Sequence, residues 1–205
     1  MNVFAGGTDR QLAWEELQRR VESCSACGLC STRKKAVFGQ GNRSSPLVFV
    51  GEGPGADEDE QGIAFVGRAG KLLTRILQAV AIEREDVFIT NVVKCRPPEN
   101  RTPQTEEMMA CNHFLEAQLA LLRPKIVVCL GNTPAKWLIK TSEGISSLRG
   151  RWFPWRGIEL FPMFHPSYLL RNESKKIGSP KDLTWHDINA LRKRFDELTK
   201  GGPSS

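Results

Sequence analysis

Four short apolar runs constrain this chain more than any other feature. They cover residues 47–50, 87–93, 126–130 and 160–164, and each ends in glycine or polar residues. Their length and their β-branched and aromatic content predict buried strands. Helical patterns flank them. One covers about 9–22, where Leu12, Leu17 and Val21 share a face, and a second covers 69–80. A third runs from Thr105, just past Pro103, to Leu122. A short one follows Thr133-Pro134, and the last covers 184–198. Strands alternating with helices predict an α/β fold: a three-layer α/β/α sandwich around a central, mostly parallel four-stranded sheet. A chain of 205 residues suits one domain over 1–200, with the tail GGPSS at 201–205 expected to be disordered.

With 25% charged and 40% apolar residues the composition is globular. No apolar run is long enough to cross a membrane, and MNVFAGGTDR lacks the basic-then-apolar order of a signal peptide. A cytoplasmic monomer is expected. The net charge of +6 is unevenly spread. Residues 1–100 hold 13 basic and 13 acidic side chains, whereas residues 101–205 hold 16 and 10. A basic second half suits a polyanion such as DNA or RNA, and is equally compatible with an ordinary solvated face.

In open α/β sheets a ligand sits beyond the carboxyl ends of the strands. There the chain places Gly51-Glu52-Gly53-Pro54-Gly55, then Asn91 and Lys94-Cys95-Arg96, then Gly131-Asn132-Thr133, then His165-Pro166-Ser167-Tyr168. The first loop is not a phosphate cradle. It is GxGxG, Pro54 removes a donor, and Glu52, Asp57, Glu58, Asp59 and Glu60 would repel an anion. Glycines that admit close backbone approach suit a flat polar ligand such as a nucleobase. Phe65 is a candidate stacking ring. Asn91 offers the donor and acceptor that read an imide edge. His165 is a candidate donor to an oxygen gaining negative charge. Each has a plainer alternative as a core ring, a turn former or a structural histidine.

Of six cysteines, Cys129 lies inside an apolar run and reads as a core residue. Cys24 and Cys27 form a CxxC pair in a polar turn, and Cys95 and Cys111 follow later. Four such thiolates suit zinc or an iron–sulfur cluster, and spacing does not choose between them. Cys30 extends the pair to CxxCxxC and is ambiguous.

In order along the chain, CSACGLC, VFGQGN, GEGPGADED, FVGRAGKLL, ITNVVKCRPPENR, FPMFHPSYLLRN and GSPKDLTWHDI resemble the family 4 uracil-DNA glycosylases, the iron–sulfur type found in bacteria and archaea. The resemblance runs from about residue 24 to about 198. It implies a [4Fe–4S] cluster on Cys24, Cys27, Cys95 and Cys111, structural in role, which ties the N-terminal segment to the loop carrying Arg96 and Asn100. Cys30 falls outside that ligand pattern. It also implies base flipping of deoxyuridine from single- or double-stranded DNA and hydrolysis of the glycosidic bond. Phe65 would stack on uracil, with Glu52, Gly53 and Gly55 around its edge. Asn91 would pair with O4 and N3–H, and His165 would stabilise the anion at O2.

For the attacking water the candidates are Glu52, then Glu58, then Asn100, because Gly53 stands where the first family of these enzymes has an aspartate. Asp57 and Glu60 read as helix-capping or solvated residues, and Asp59 is open. Leu169 is expected as a wedge that fills the gap left by the flipped base. Arg171, Arg68, Lys71 and Arg96 are expected on the DNA. No histidine occurs within 94–101, the place of the loop with which a sister family traps its product. Turnover is therefore expected. The rival readings are a glycosylase for another deaminated base, an iron–sulfur DNA-binding protein without catalysis and, more distantly, a nucleotide hydrolase. The sequence names no protein partner.

Overall fold

The computed structural model describes residues 7–200. The expected disordered tail at 201–205 lies outside the described residues. The elements in chain order are α1 (Gly7–Glu22), β1 (Gln40–Gly41), β2 (Leu47–Gly51), α2 (Ala56–Gln61), α3 (Arg68–Gln78), β3 (Phe88–Asn91), α4 (Thr105–Leu122), β4 (Ile126–Leu130), α5 (Asn132–Ile139), α6 (Ile145–Leu148), β5 (Phe153–Trp155), β6 (Ile158–Met163), α7 (Pro166–Arg171) and α8 (Pro180–Lys200).

The four apolar runs form β2, β3, β4 and β6, mutually parallel in the order β3-β2-β4-β6. The sheet has six strands rather than four, because β1 and β5 add antiparallel edges. Neither edge has a strand-like sequence. β1 is a two-residue pairing inside a glycine turn, with Gly39 and Gly41 at φ 121° and 117°. β5 contains Pro154, which an edge strand tolerates because one of its sides has no neighbour to bond.

Alternation along the strands divides the core. Val48 and Val50 of β2 face a layer with Trp14, Leu17 and Val21 of α1 and Phe114, Leu115 and Leu119 of α4. Leu47 and Phe49 face Leu73 and Leu77 of α3 and Ile188 and Leu191 of α8. Cys129 is fully buried in the first layer, as its apolar surroundings predict. The chain winds from β2 outward to β3, and α4 then carries it back across to β4. The direction of winding therefore reverses between β2 and β4, and a crevice opens beyond their carboxyl ends.

Candidate active site and cysteine centre

The crevice has a volume of about 1220 Å³ and draws residues from the ends of all four parallel strands. Glu52, Phe65, Asn91, Thr133 and His165 line it. Glu52 leaves β2 and Thr133 lies in the first turn of α5, and the Thr133 hydroxyl donates to the Glu52 carboxylate across the switch point. One carboxylate oxygen is thereby held.

Asn91 ends β3 and is 1% exposed, and its Oδ1 is the one buried side-chain oxygen or nitrogen among the described residues without a partner. Buried acceptors are nearly always paired, so an orphan on a residue that lines a crevice points to a ligand's place. Gly51 creates the room. A Cβ there would lie 2.4 Å from Asn91 Oδ1 and 2.5 Å from Phe65 Cζ.

Phe65 holds a left-handed backbone, φ 53°, which costs a non-glycine residue about 1–3 kcal/mol. Its surroundings enforce it. The Arg84 guanidinium donates to Ala64 O at 2.6 Å, and the Val66 and Gly67 amides donate to Glu58 Oε1 at 2.9 and 2.8 Å. Gly70 of α3 lies against the Phe65 carbonyl, where a Cβ would come within 1.8 Å of the oxygen. The ring ends 5.8 Å from that of His165, centroid to centroid.

His165 is the N-cap of α7. Its Nδ1 accepts from the Ser167 amide at 3.1 Å and lies 2.8 Å from Ser167 Oγ. A backbone amide can only donate, so Nδ1 carries no proton and the neutral ring carries its proton on Nε2. Burial, helped by the nearby Arg171 charge, pushes its pKa down to about 4. The ring is therefore a neutral Nε2–H donor at physiological pH.

Glu58 and Asn100 are otherwise occupied. Glu58 accepts from three backbone amides, the third being Gly55 N at 3.1 Å. It staples the glycine loop to the start of α3 while lining the crevice. Asn100 is exposed, and its Oδ1 accepts from Arg96 Nε at 2.8 Å. Gly53 admits no side chain, since a Cβ would lie 2.8 Å from Val93 Cγ2. Asp59, left open by the sequence, is buried and accepts from the Lys34 and Lys35 amides, tying α2 to the N-terminal segment. Asp57 and Glu60 are exposed, and Glu60 pairs with Lys34.

Behind the crevice, on the α1–α4 side of the sheet, Cys24, Cys27, Cys30, Cys95 and Cys111 line one small cavity. The Lys94 amide donates to Cys111 Sγ at 3.3 Å, the Ala26 amide to Cys24 Sγ at 3.5 Å and Arg33 Nη1 to Cys95 Sγ at 2.9 Å. Burial pushes the Cys111 thiol up to about 11. Among the described residues no three Cys, His, Asp or Glu side chains close on a point that would hold a single ion.

The uracil DNA glycosylase superfamily model matches residues 38–189. The chain belongs to that superfamily. It is 48% identical over 170 residues to the type-4 uracil-DNA glycosylase of Thermotoga maritima, covering 82% of this chain and 88% of the relative. It is 39% identical over 181 residues to the type-4 enzyme of Archaeoglobus fulgidus, covering 80% and 91%. The type-5 enzyme of Pyrobaculum aerophilum is more distant, 29% identical over 174 residues, covering 77% and 74%.

Of the side chains expected on the DNA, Leu169 is 2% exposed and packs within the molecule. Tyr168 is the side chain that α7 exposes into the crevice. Arg171 also lines the crevice. Arg68 and Lys71 are exposed and Arg96 is half-buried, all three away from the crevice lining. The Val66 and Gly67 amides just before α3 are already taken by the Glu58 carboxylate. The sequence reading missed Thr133, whose only signal was its place after the third strand, and Ser167, which fixes the His165 tautomer.

Proposed function

We propose that this chain excises uracil from DNA as a cytoplasmic monomer, hydrolysing the glycosidic bond of a flipped deoxyuridine. The observation that carries the reading is the unpartnered Asn91 Oδ1, buried beside Phe65 and His165 in the crevice. That oxygen accepts from uracil N3–H while the Asn91 amide nitrogen donates to O4. Cytosine presents the opposite pattern on that edge and leaves both groups unpaired, the costly kind of mismatch. Phe65 stacks on the base.

As the C1′–N1 bond breaks, the electron pair stays on the base, and the neutral His165 Nε2–H donates to O2 where that charge collects. Glu52, steadied by Thr133, supports the cationic sugar and positions the water that adds to C1′. The products are free uracil and an abasic site, released rather than trapped. Arg171, Arg68, Lys71 and Arg96 contact phosphates, and Tyr168 takes the place expected for Leu169 at the gap in the duplex.

Cys24, Cys27, Cys95 and Cys111 would hold a [4Fe–4S] cluster. Thiols that share a cavity without converging on one point suit a polynuclear centre better than a single zinc ion. When bound, the cluster supplies a structural cross-link between the N-terminal segment and the region from β3 to α4. All six cysteines are free, which fits a reducing compartment.

The test is base release from an end-labelled oligonucleotide with one uracil, read by alkaline cleavage. Cleavage by the wild type, reduced about 100-fold or more in His165→Ala and Asn91→Ala, is the expected result. No cleavage by a folded, iron-loaded protein would refute the uracil reading. Release of hypoxanthine or xanthine from matching oligonucleotides would then replace it.

A further inference from the structure

Lys94 is a lysine where a core residue would be expected. It is 1% exposed, yet its ammonium has no carboxylate partner among the described residues. Its three protons go to neutral acceptors: Thr90 Oγ1 at 2.7 Å, the Asn91 backbone carbonyl at 2.7 Å and Gln118 Oε1 at 2.6 Å. The acceptors are themselves locked. Gln118 is fully buried and its amide donates to Phe38 O at 2.7 Å, and the Thr90 hydroxyl reaches the same carbonyl at 3.0 Å.

Burying an ammonium costs several kcal/mol, and neutral hydrogen bonds recover only part of that. Cys95 is the neighbour of Lys94 in the chain. The Lys94 backbone amide points at Cys111 Sγ, and the residue lines the cysteine cavity. Metal-bound thiolates carry net negative charge, so a cluster held by these cysteines would supply the missing counter-charge. Lys94 thus stands between that centre and the strand end that carries Asn91.

We propose that Lys94 is a positioning residue: with the thiolate centre as its counter-charge, its ammonium holds the Asn91 carbonyl and so fixes the Asn91 amide against the uracil edge. The inference rests on the uracil reading and on the cysteine centre above. It gives that centre an effect on base recognition beyond stapling the chain.

The test compares Lys94→Met with Lys94→Met/Gln118→Leu, the second of which removes the acceptor stranded by the first. Iron and sulfide content and thermal melting establish folding. The expected result is a kcat lowered about 10- to 100-fold and inhibition by free uracil weakened to a similar degree, with KM for DNA changed less than about threefold. The centre's reduction potential should become more negative, because a buried positive charge beside it is gone. In an Asn91→Ala background Lys94→Met should cost almost nothing further, since it acts through Asn91.

Iron-loaded variants with unchanged kcat and uracil inhibition would overturn the proposal, as would losses that multiply fully with Asn91→Ala. Loss of iron from both variants would overturn it in favour of a purely structural role. A wild type that releases no uracil would refute the proposed function instead. The potential shift would still report whether the Lys94 charge faces the centre.

Discussion

At the scale of single residues, the proposed reading depends on the order in which the Asn91 amide presents its donor and acceptor to the base edge. Asn91→Asp replaces the amide donor with a second acceptor. It should lower uracil release about 100-fold or more and raise release from cytosine relative to uracil, measured on paired oligonucleotides that differ in that base. A protein that binds DNA without catalysis would keep its DNA affinity in this variant and release neither base.

His165 has a pH signature of its own. Its folded pKa of about 4 lies below the ordinary histidine value of 6.5, chiefly through burial. Between those values the unfolded chain takes up a proton that the folded ring refuses. Stability therefore falls as pH drops from about 6.5 to about 4, and this contribution levels off below. The difference amounts to roughly 3 kcal/mol. Urea midpoints of wild type and His165→Asn, measured from pH 7 to pH 4.5, should converge as the pH is lowered. An unchanged gap would mean that the ring is not held neutral.

At the scale of elements, the four parallel strands were legible because their apolar runs are buried on both faces, and α4 was legible to its end residues because Pro103 and the apolar period bound it. The edge strands were not, since β1 and β5 exist only as partners of β3 and β6. Helix α7 shows what a linear reading loses. Tyr168-Leu169-Leu170 offers three apolar side chains, and only the packing of a short helix decides which faces the crevice. Tyr168→Ala should weaken uracil release from duplex more than from single strands, where no gap needs filling. Leu169→Ala should lower thermal stability by about 2–5 kcal/mol with little change in that ratio. The reverse pattern would restore Leu169 as the wedge.

The same limit applies to Glu58 and Gly70. A carboxylate in a glycine loop reads as chemistry, and a glycine early in a helix reads as a weakness. Both prove to hold Phe65 in its left-handed conformation, through contacts that the sequence does not announce. Asn91 and His165, by contrast, were legible as crevice residues from their positions at strand ends.

At the scale of the whole molecule, much of the basic second half is already paired, and the surplus rests on a few side chains. Arg149 pairs with the buried Asp187, Arg151 with Glu143, Arg156 with Glu116, Arg192 with Asp196 and Arg194 with Glu159. Among the described residues Arg171, Lys175, Lys176 and Lys181 have no acidic partner; Arg171 ends α7 and the three lysines follow it closely in the chain. This segment should carry much of the salt-sensitive grip on DNA. Lys175→Gln/Lys176→Gln should lower affinity for any DNA sequence. It should also reduce the slope of log affinity against log salt by about 2, with kcat at saturating substrate unchanged. An unchanged slope would place the phosphate contacts elsewhere.

The strand order also sets a timetable for synthesis. Helix α1 leaves the ribosome before α4, and it buries Trp14, Leu17 and Val21 in a layer that α4 completes. The second strand, β2, needs both β3 and β4 beside it. The cysteines divide in the same way, two before residue 30 and two at 95 and 111. A nascent chain that stops short of Leu122 therefore presents apolar helix faces and an open pair of thiols, and it has no smaller unit in which to hide them. The molecule is committed late, and whatever shields its leading segment must remain bound until more than half of the chain has been made.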